Sequence, residues 1–217
     1  MTLKVYGAAL SPFVRKVRVF LGEKNLDFEA VHVDPNDPPA DYEQLNPLKR
    51  IPALADGEHV LADSGVICAY LERRFPEPAL YPSDDYDYAR ALWFEKFADY
   101  ELAPNCTRTI FRNRVVMRLL GHSCDEDAVH RARHEALPPL FDYLEDQLGD
   151  QTFMVGDRFS IADIALSCQF TNLQHGGEAV EAARWPRLAA YAQRLEARPV
   201  FQQHIEKETA FIRKVIG

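Results

Sequence analysis

After Tyr86 the chain contains no run with the apolar/polar alternation that a half-buried strand requires, whereas the residues before Phe75 are punctuated at strand and turn spacing. That asymmetry predicts a compact α/β unit followed by a unit built from helices alone. With 217 residues and 47% hydrophobic content, the chain is long enough for both to bury a core.

The first part opens with a short strand pattern, Leu3 to Tyr6, that breaks at Gly7. An amphipathic helix follows, its Phe13, Val17, Phe20 and Leu21 falling at i, i+4, i+7 and i+8. Ser11 stands at the N-cap and Pro12 at the first helical position, where a missing N–H costs nothing. The end of such a helix offers unpaired N–H groups and a partial positive charge, so the space before Ser11 suits an anion, a thiolate included. Taken alone, a Ser-Pro start is an ordinary cap. Phe28 to Val33 reads as a second strand, parallel to the first by the crossover rule, and DPNDPPADYEQLNP, with four prolines, as a loop with one short helical turn. Ile51 to Leu54 and His59 to Leu61 flank a turn, which predicts a hairpin whose Pro52 sits at an edge or takes an unusual peptide geometry. The next helix opens at Asp63-Ser64, carries Val66, Ile67, Tyr70 and Leu71 on one face, and ends near Phe75-Pro76.

EPALYPSDDYD, rich in proline and acid, is the best linker in the chain. Beyond it the pattern predicts a helix from Asp87 to Leu120, bent near Ala103-Pro104, with Trp93, Phe94, Phe97, Tyr100 and Leu102 supplying bulk. Helices over 126–148, from Ser160, over 185–198 and over 199–216 complete it. In FSIADIALS, Ser160 and Asp163 have the spacing of a capping box, Phe159 and Ile164 that of a hydrophobic staple, and the apolar content predicts a buried helix.

Several function classes are disfavoured. The 33 acids outweigh 25 bases, giving −8, and no basic block is present, so nucleic acid and anionic membrane are not the expected partners. MTLKVYG lacks the features of a secretory signal and no run is long enough for a span, which makes the cytoplasm the expected location. The cysteines Cys68, Cys106, Cys124 and Cys168 form no CxxC and the histidines no obvious cluster, so no metal site is expected; Cys68 and Cys168 read as core fillers.

Four motifs in order, SPFVRKVRVFL, NPLKRIPAL, the Asp63-Ser64 helix start and FSIADIAL, resemble the cytosolic glutathione transferase superfamily, and the first looks most like its serine-type branch. The resemblance covers essentially the whole chain. It implies a thioredoxin-like α/β N-terminal domain over residues 1–77 that holds glutathione, a linker over 78–88, and an all-α C-terminal domain over 89–217 that forms the electrophile pocket. It also implies a homodimer, no metal, and glutathione as co-substrate with a small electrophile or disulfide. Carried over by position, Ser11 would hydrogen-bond the glutathione sulfur, with Tyr6 as a rival that strand alternation places toward the core. Ile51 would pair its backbone with the cysteinyl part, and Pro52 would be a cis-proline exposing those groups. Asp63 and Ser64 would take the γ-glutamyl end. Where related members place basic residues before Asn46, this chain has Asp37-Pro38-Pro39, leaving Arg50, ahead of Lys49, as the residue for the glycine carboxylate. Phe13, Asn105, Thr109 and Arg112 are candidates for the electrophile pocket. The activity implied is conjugation of glutathione to small hydrophobic electrophiles. The alternatives are glutathione-dependent reduction of disulfides or peroxides at the same site, and an interaction module without turnover.

Overall fold

The computed structural model describes residues 2–216, and the chain divides into two compact units, one ending at Tyr81 and the other beginning at Pro82.

The first unit is built on a four-stranded mixed sheet with strand order β2-β1-β3-β4, in which β1 is Leu3–Tyr6, β2 Phe28–Val31, β3 Ala53–Asp56 and β4 His59–Ala62. β1 and β2 are parallel and joined by α1, Pro12–Glu23, as a crossover demands; β3 and β4 are antiparallel to their neighbours. The hairpin turn is the pair Gly57-Glu58, tighter than expected, with Gly57 at φ +63°, a value that a side chain would make costly. Leu3 and Val5 pack inward with Val14, Val17, Phe20 and Leu21. The 3₁₀ turn Ala40–Gln44 lies in the proline-rich loop.

The helix α2, Ser64–Arg74, buries Ser64, Ile67, Cys68 and Leu71, while Val66 is 52% exposed. The apolar face expected from Val66 and Tyr70 is therefore rotated toward Cys68, because i, i+3/i+4 and i+7 from Ser64 form the inward stripe. The ends of α1 and α2 are tied by Lys24. Its ammonium lies 2.7 Å from Glu72 Oε2 and donates to the Phe75 and Pro78 carbonyls at 2.7 and 2.8 Å. All three of its protons have acceptors, which is the condition for burying a lysine.

In the second unit α3 covers 85–119 as one continuous helix, longer at its start than expected, with the Asp84 carboxylate accepting the Tyr86 and Asp87 N–H groups at 3.0 Å each. Around Pro104, where the sequence predicts a bend, the helix has two π-helical stretches, Ala98–Leu102 and Cys106–Val116. Proline removes a donor, and the wide turns shift bonds by one residue, so that Ala103 N–H reaches the Ala98 carbonyl and Met117 N–H reaches that of Arg112. Of the residues expected to supply bulk, Phe94, Phe97 and Leu102 are buried, whereas Trp93 and Tyr100 are 53% and 64% exposed.

Residues 126–148 form α4, with a π turn Ala132–Ala136 just ahead of Pro138-Pro139. The helix α5, Ile161–His175, is buried on all sides through Leu173 and packs on α3 and on α6, Pro186–Glu196. Its first turn is the capping box read from the sequence: Ser160 N–H donates to Asp163 Oδ2 at 2.8 Å, and Met154 N–H and Tyr191 Oη–H donate to Oδ1 at 2.9 and 2.6 Å. Burial pushes the Asp163 carboxyl pKa up, against the four donors that favour its charge. α7, Pro199–Ile216, follows α6. None of the described helices is long and apolar enough to cross a membrane.

Candidate active site

Sheet register gathers the predicted residues of the first unit. Tyr6, at the end of β1, pairs with Ala53 at the start of β3, which pairs with Ala62 at the end of β4. The three segments leaving those positions therefore emerge at one edge of the sheet: Gly7 to Ser11, Ile51-Pro52, and Asp63-Ser64. α1 and α2, of 12 and 11 residues, start from two of them, so two helix N-termini bring positive partial charge to this edge.

Ser11 caps α1. Its Oγ accepts the Val14 N–H at 3.4 Å, a long bond, and Pro12 occupies the first helical position. A hydroxyl carries one donor and two acceptor sites, so this cap engages a lone pair and leaves the proton to be donated elsewhere. Capping and donation to an anion are compatible roles for one side chain.

The Ile51–Pro52 peptide bond is cis. The ladder with β1 begins at Ala53, so the Ile51 backbone lies beyond it. Gly7, at φ +149°, is in contact range of both neighbours: a β-carbon there would overlap Val14 Cγ2 and sit 3.2 Å from Ile51 Cβ. The first turn of α1 and the Ile51-Pro52 segment thus approach one another across a residue without a side chain.

Asp63 is the N-cap of α2, at φ +74°, and its Oδ1 accepts the Gly65 and Val66 N–H groups at 2.9 and 3.1 Å. That carboxylate thereby takes up two of the helix's free donors itself. Ser64 is buried beside it.

Two residues that the sequence reading did not single out hold the Arg50 backbone. Tyr42 Oη–H donates to the Arg50 carbonyl at 2.9 Å and Asn46 Nδ2 donates to the same oxygen at 2.6 Å, while Asn46 Oδ1 accepts the Leu48 N–H at 3.0 Å. Both residues are buried. Burial raises the Tyr42 phenol to about 12, so it is a neutral donor at ordinary pH. The Asn46-Pro47 pair is a turn signal that could have flagged Asn46; nothing local flags Tyr42. The Arg50 side chain is exposed. Lys49 is in an ion pair with Glu43 at 2.8 Å. Tyr6 is half-buried and packs against Val33, Tyr42 and Ala53, on the face of β1 opposite Leu3 and Val5.

The electrophile candidates fall in both units. Phe13 is half-buried in the first turn of α1 in the first unit. Asn105 and Thr109 are in the second unit and line an open groove with Arg131 and Glu135 of α4. Each bonds its own helix: Asn105 Nδ2 to the Glu101 carbonyl at 3.2 Å, Thr109 Oγ1 to that of Pro104 at 2.8 Å. The π geometry explains this, because shifted backbone bonds leave carbonyls for side chains to satisfy. Arg112 is exposed.

Comparison with known proteins bears on the whole chain. Residues 5–79 match the family model described as "Glutathione S-transferase, N-terminal domain", and residues 114–208 the one described as "Glutathione S-transferase, C-terminal domain". The chain is 33% identical over 210 residues to glutathione S-transferase 3 of Zea mays, covering 94% of this chain and 93% of that protein. It is 31% identical over 208 residues to maleylacetoacetate isomerase of Pseudomonas aeruginosa, with 93% and 94% covered. A glutathione S-transferase structure from Rhodospirillum rubrum superposes with a TM-score of 0.86 at 25% identity, covering 94% of this chain and 91% of that one.

Proposed function

The chain belongs to the cytosolic glutathione S-transferase superfamily, and from that premise we propose that it is a serine-type glutathione transferase in which Ser11 donates a hydrogen bond to the thiolate of bound glutathione. The observation that carries this reading is the convergence of Ser11, the cis Ile51–Pro52 segment and Asp63-Ser64 at one sheet edge, under two helix N-termini.

A free thiol of pKa ~8.5 is only a few per cent ionised at pH 7, and the thiolate is the nucleophile. Lowering that pKa by about two units requires roughly 2.7 kcal/mol of preference for the charged sulfur. One hydroxyl donor and the α1 N-terminus are of that order. Ser11 then acts as a donor that stabilises charge, and no covalent serine intermediate forms. In this reading the Ile51 backbone pairs with the cysteinyl unit past the cis Pro52. Ser64, at the first position of α2, receives the γ-glutamyl carboxylate beside Asp63, whose own side chain engages the Gly65 and Val66 N–H groups, and Arg50 takes the glycine carboxylate.

The electrophile is assigned to Phe13, Asn105, Thr109 and Arg112, and the working form to a cytoplasmic homodimer in detoxification. The relative named maleylacetoacetate isomerase supports a second reading of the same site. There the thiolate adds reversibly to an unsaturated substrate, a C–S bond forms and later breaks, and glutathione is regenerated.

The test begins with calorimetry of glutathione binding and assays of aryl-halide conjugation, disulfide reduction and double-bond isomerisation on one preparation. The ultraviolet thiolate band of bound glutathione is then titrated against pH in wild type and Ser11→Ala. A midpoint below that of free glutathione which rises in the variant supports the proposal. An unchanged midpoint removes the role of Ser11, and no binding at millimolar glutathione removes the function.

A further inference from the structure

We propose that His130 and His134 form a chelating site for a divalent transition-metal ion of the imidazole-binding class, copper(II), nickel(II) or zinc(II), on the outer face of α4. The two residues are four apart on one helix and both are exposed. Their ring centroids are 4.4 Å apart with the planes at 42°, so the imidazoles are already in contact. Among the described residues neither ring makes a hydrogen bond or an ion pair, so no existing bond has to be broken for both to turn toward one ion.

The spacing matters because of where it falls. His130 belongs to the α-helical segment Glu126–Arg131 and His134 to the π turn Ala132–Ala136, so the pair spans the junction between the two geometries. Two histidines at i and i+4 on one helical face are the arrangement by which a helix presents two nitrogens to a single ion. Neutral imidazole suits copper, nickel and zinc.

The charged neighbours leave the face open. Arg133, between the two histidines, is engaged with Glu178, its Nε 2.9 Å from Oε2, and Arg131 lines the groove shared with Asn105. Asp127, one turn before His130, is exposed and adds negative potential along the same stripe. No cluster of three or more metal-ligating side chains exists among the described residues, so the protein supplies two nitrogens and water completes the coordination. Such a site is exchangeable, unlike a closed four-ligand structural site. The expected absence of a metal site from the sequence rested on cysteine spacing and on scattered histidines; the helix is what brings these two together.

The experiment uses the full chain without an affinity tag, stripped of metal, and titrates nickel(II) chloride calorimetrically into wild type, His130→Ala and His134→Ala. The wild type is expected to bind one ion more than either variant, or the same number with at least ten-fold higher affinity at that site. Copper(II) paramagnetic resonance should show splitting from two nitrogens in the wild type and lose it in both variants. Circular dichroism and any activity with glutathione should be unchanged, because the pair lies outside the residues assigned to the thiol. Binding that survives both substitutions, that is lost in only one of them, or that is absent from the wild type at millimolar nickel overturns the proposal.

Discussion

Gly7 and Val14 are packed so closely that a β-carbon on Gly7 would overlap Val14 Cγ2, and the same atom would lie 3.2 Å from Ile51 Cβ. Val14 is β-branched and fully buried, so it cannot swing aside. Gly7→Ala is expected to cost roughly 1–3 kcal/mol of stability through overpacking, with added strain from φ +149°. It should also weaken glutathione binding more than Val14→Ala does, because the displaced partner includes Ile51. Denaturant unfolding and calorimetry on both variants check the order.

The two roles of Ser11 can be separated. Ser11→Ala removes cap and donor together; Ser11→Asp keeps an acceptor for the Val14 N–H, now bonded at 3.4 Å, but sets a negative charge against the thiolate. The alanine variant should lose roughly 10²-fold in kcat, as for removal of one charge-stabilising donor. The aspartate variant should be as stable as wild type or more so, yet less active than alanine. An aspartate variant with near wild-type activity would mean that the cap alone matters.

Tyr42→Phe tests the clamp on the Arg50 carbonyl. One donor is lost while Asn46 remains, so the cost to stability should be about 1 kcal/mol. The effect should fall on KM for glutathione with kcat nearly unchanged, since the clamp positions the segment that precedes Ile51. A change in kcat with KM unaltered would count against that positioning.

Lys24→Met leaves Glu72 beside a buried gap without its cation and should cost about 3 kcal/mol or more; the Glu72 side chain is 16% exposed. Adding Glu72→Gln, which removes the charge but keeps an acceptor for the Leu80 and Tyr81 N–H groups that Glu72 holds at 3.1 and 3.3 Å, should restore part of the loss. A double-mutant cycle by urea unfolding measures the coupling, and simple additivity would show that the two charges act independently.

Glu145 gives an acid-side dependence. Its carboxylate accepts Leu188 N–H at 2.7 Å and Arg187 N–H and Nε at 3.2 and 3.0 Å. Burial pushes its pKa up, but these donors and the Arg187 charge outweigh that and leave it below the ordinary carboxylate value. The unfolded chain thus binds the proton more readily than the folded one, so this stabilisation is fully present above the ordinary value and is lost as pH falls through the depressed one. Glu145→Gln should lower stability at pH 7 and flatten the acid limb of the stability curve. Midpoints measured from pH 7 to pH 3 decide this.

What could be read from residues alone was what acts within a few positions. The Ser11-Pro12 start, the Ser160/Asp163 box and the α/β-then-α order were all visible, because caps, proline and apolar periodicity work over one or two turns. The inward face of α2 lies one step from the one that Val66 and Tyr70 suggest, and the outward position of Trp93 and Tyr100 is not legible in the sequence, since an apolar residue on a helix does not declare which side its neighbours will cover.

The remainder depended on partners far along the chain. α6 begins at Trp185-Pro186 with no capping side chain of its own, and its free N–H groups are met by Glu145 from another helix. The Arg50 carbonyl is held by a tyrosine eight residues earlier, and Lys24 finds its acceptors at Glu72, Phe75 and Pro78. Sequence by itself determined which helices and strands form and where the Ser11 helix starts. Tertiary structure decided which polar groups are satisfied and which backbone segments meet at the sheet edge, because a hydrogen bond depends on separation in space, which only the packed chain defines.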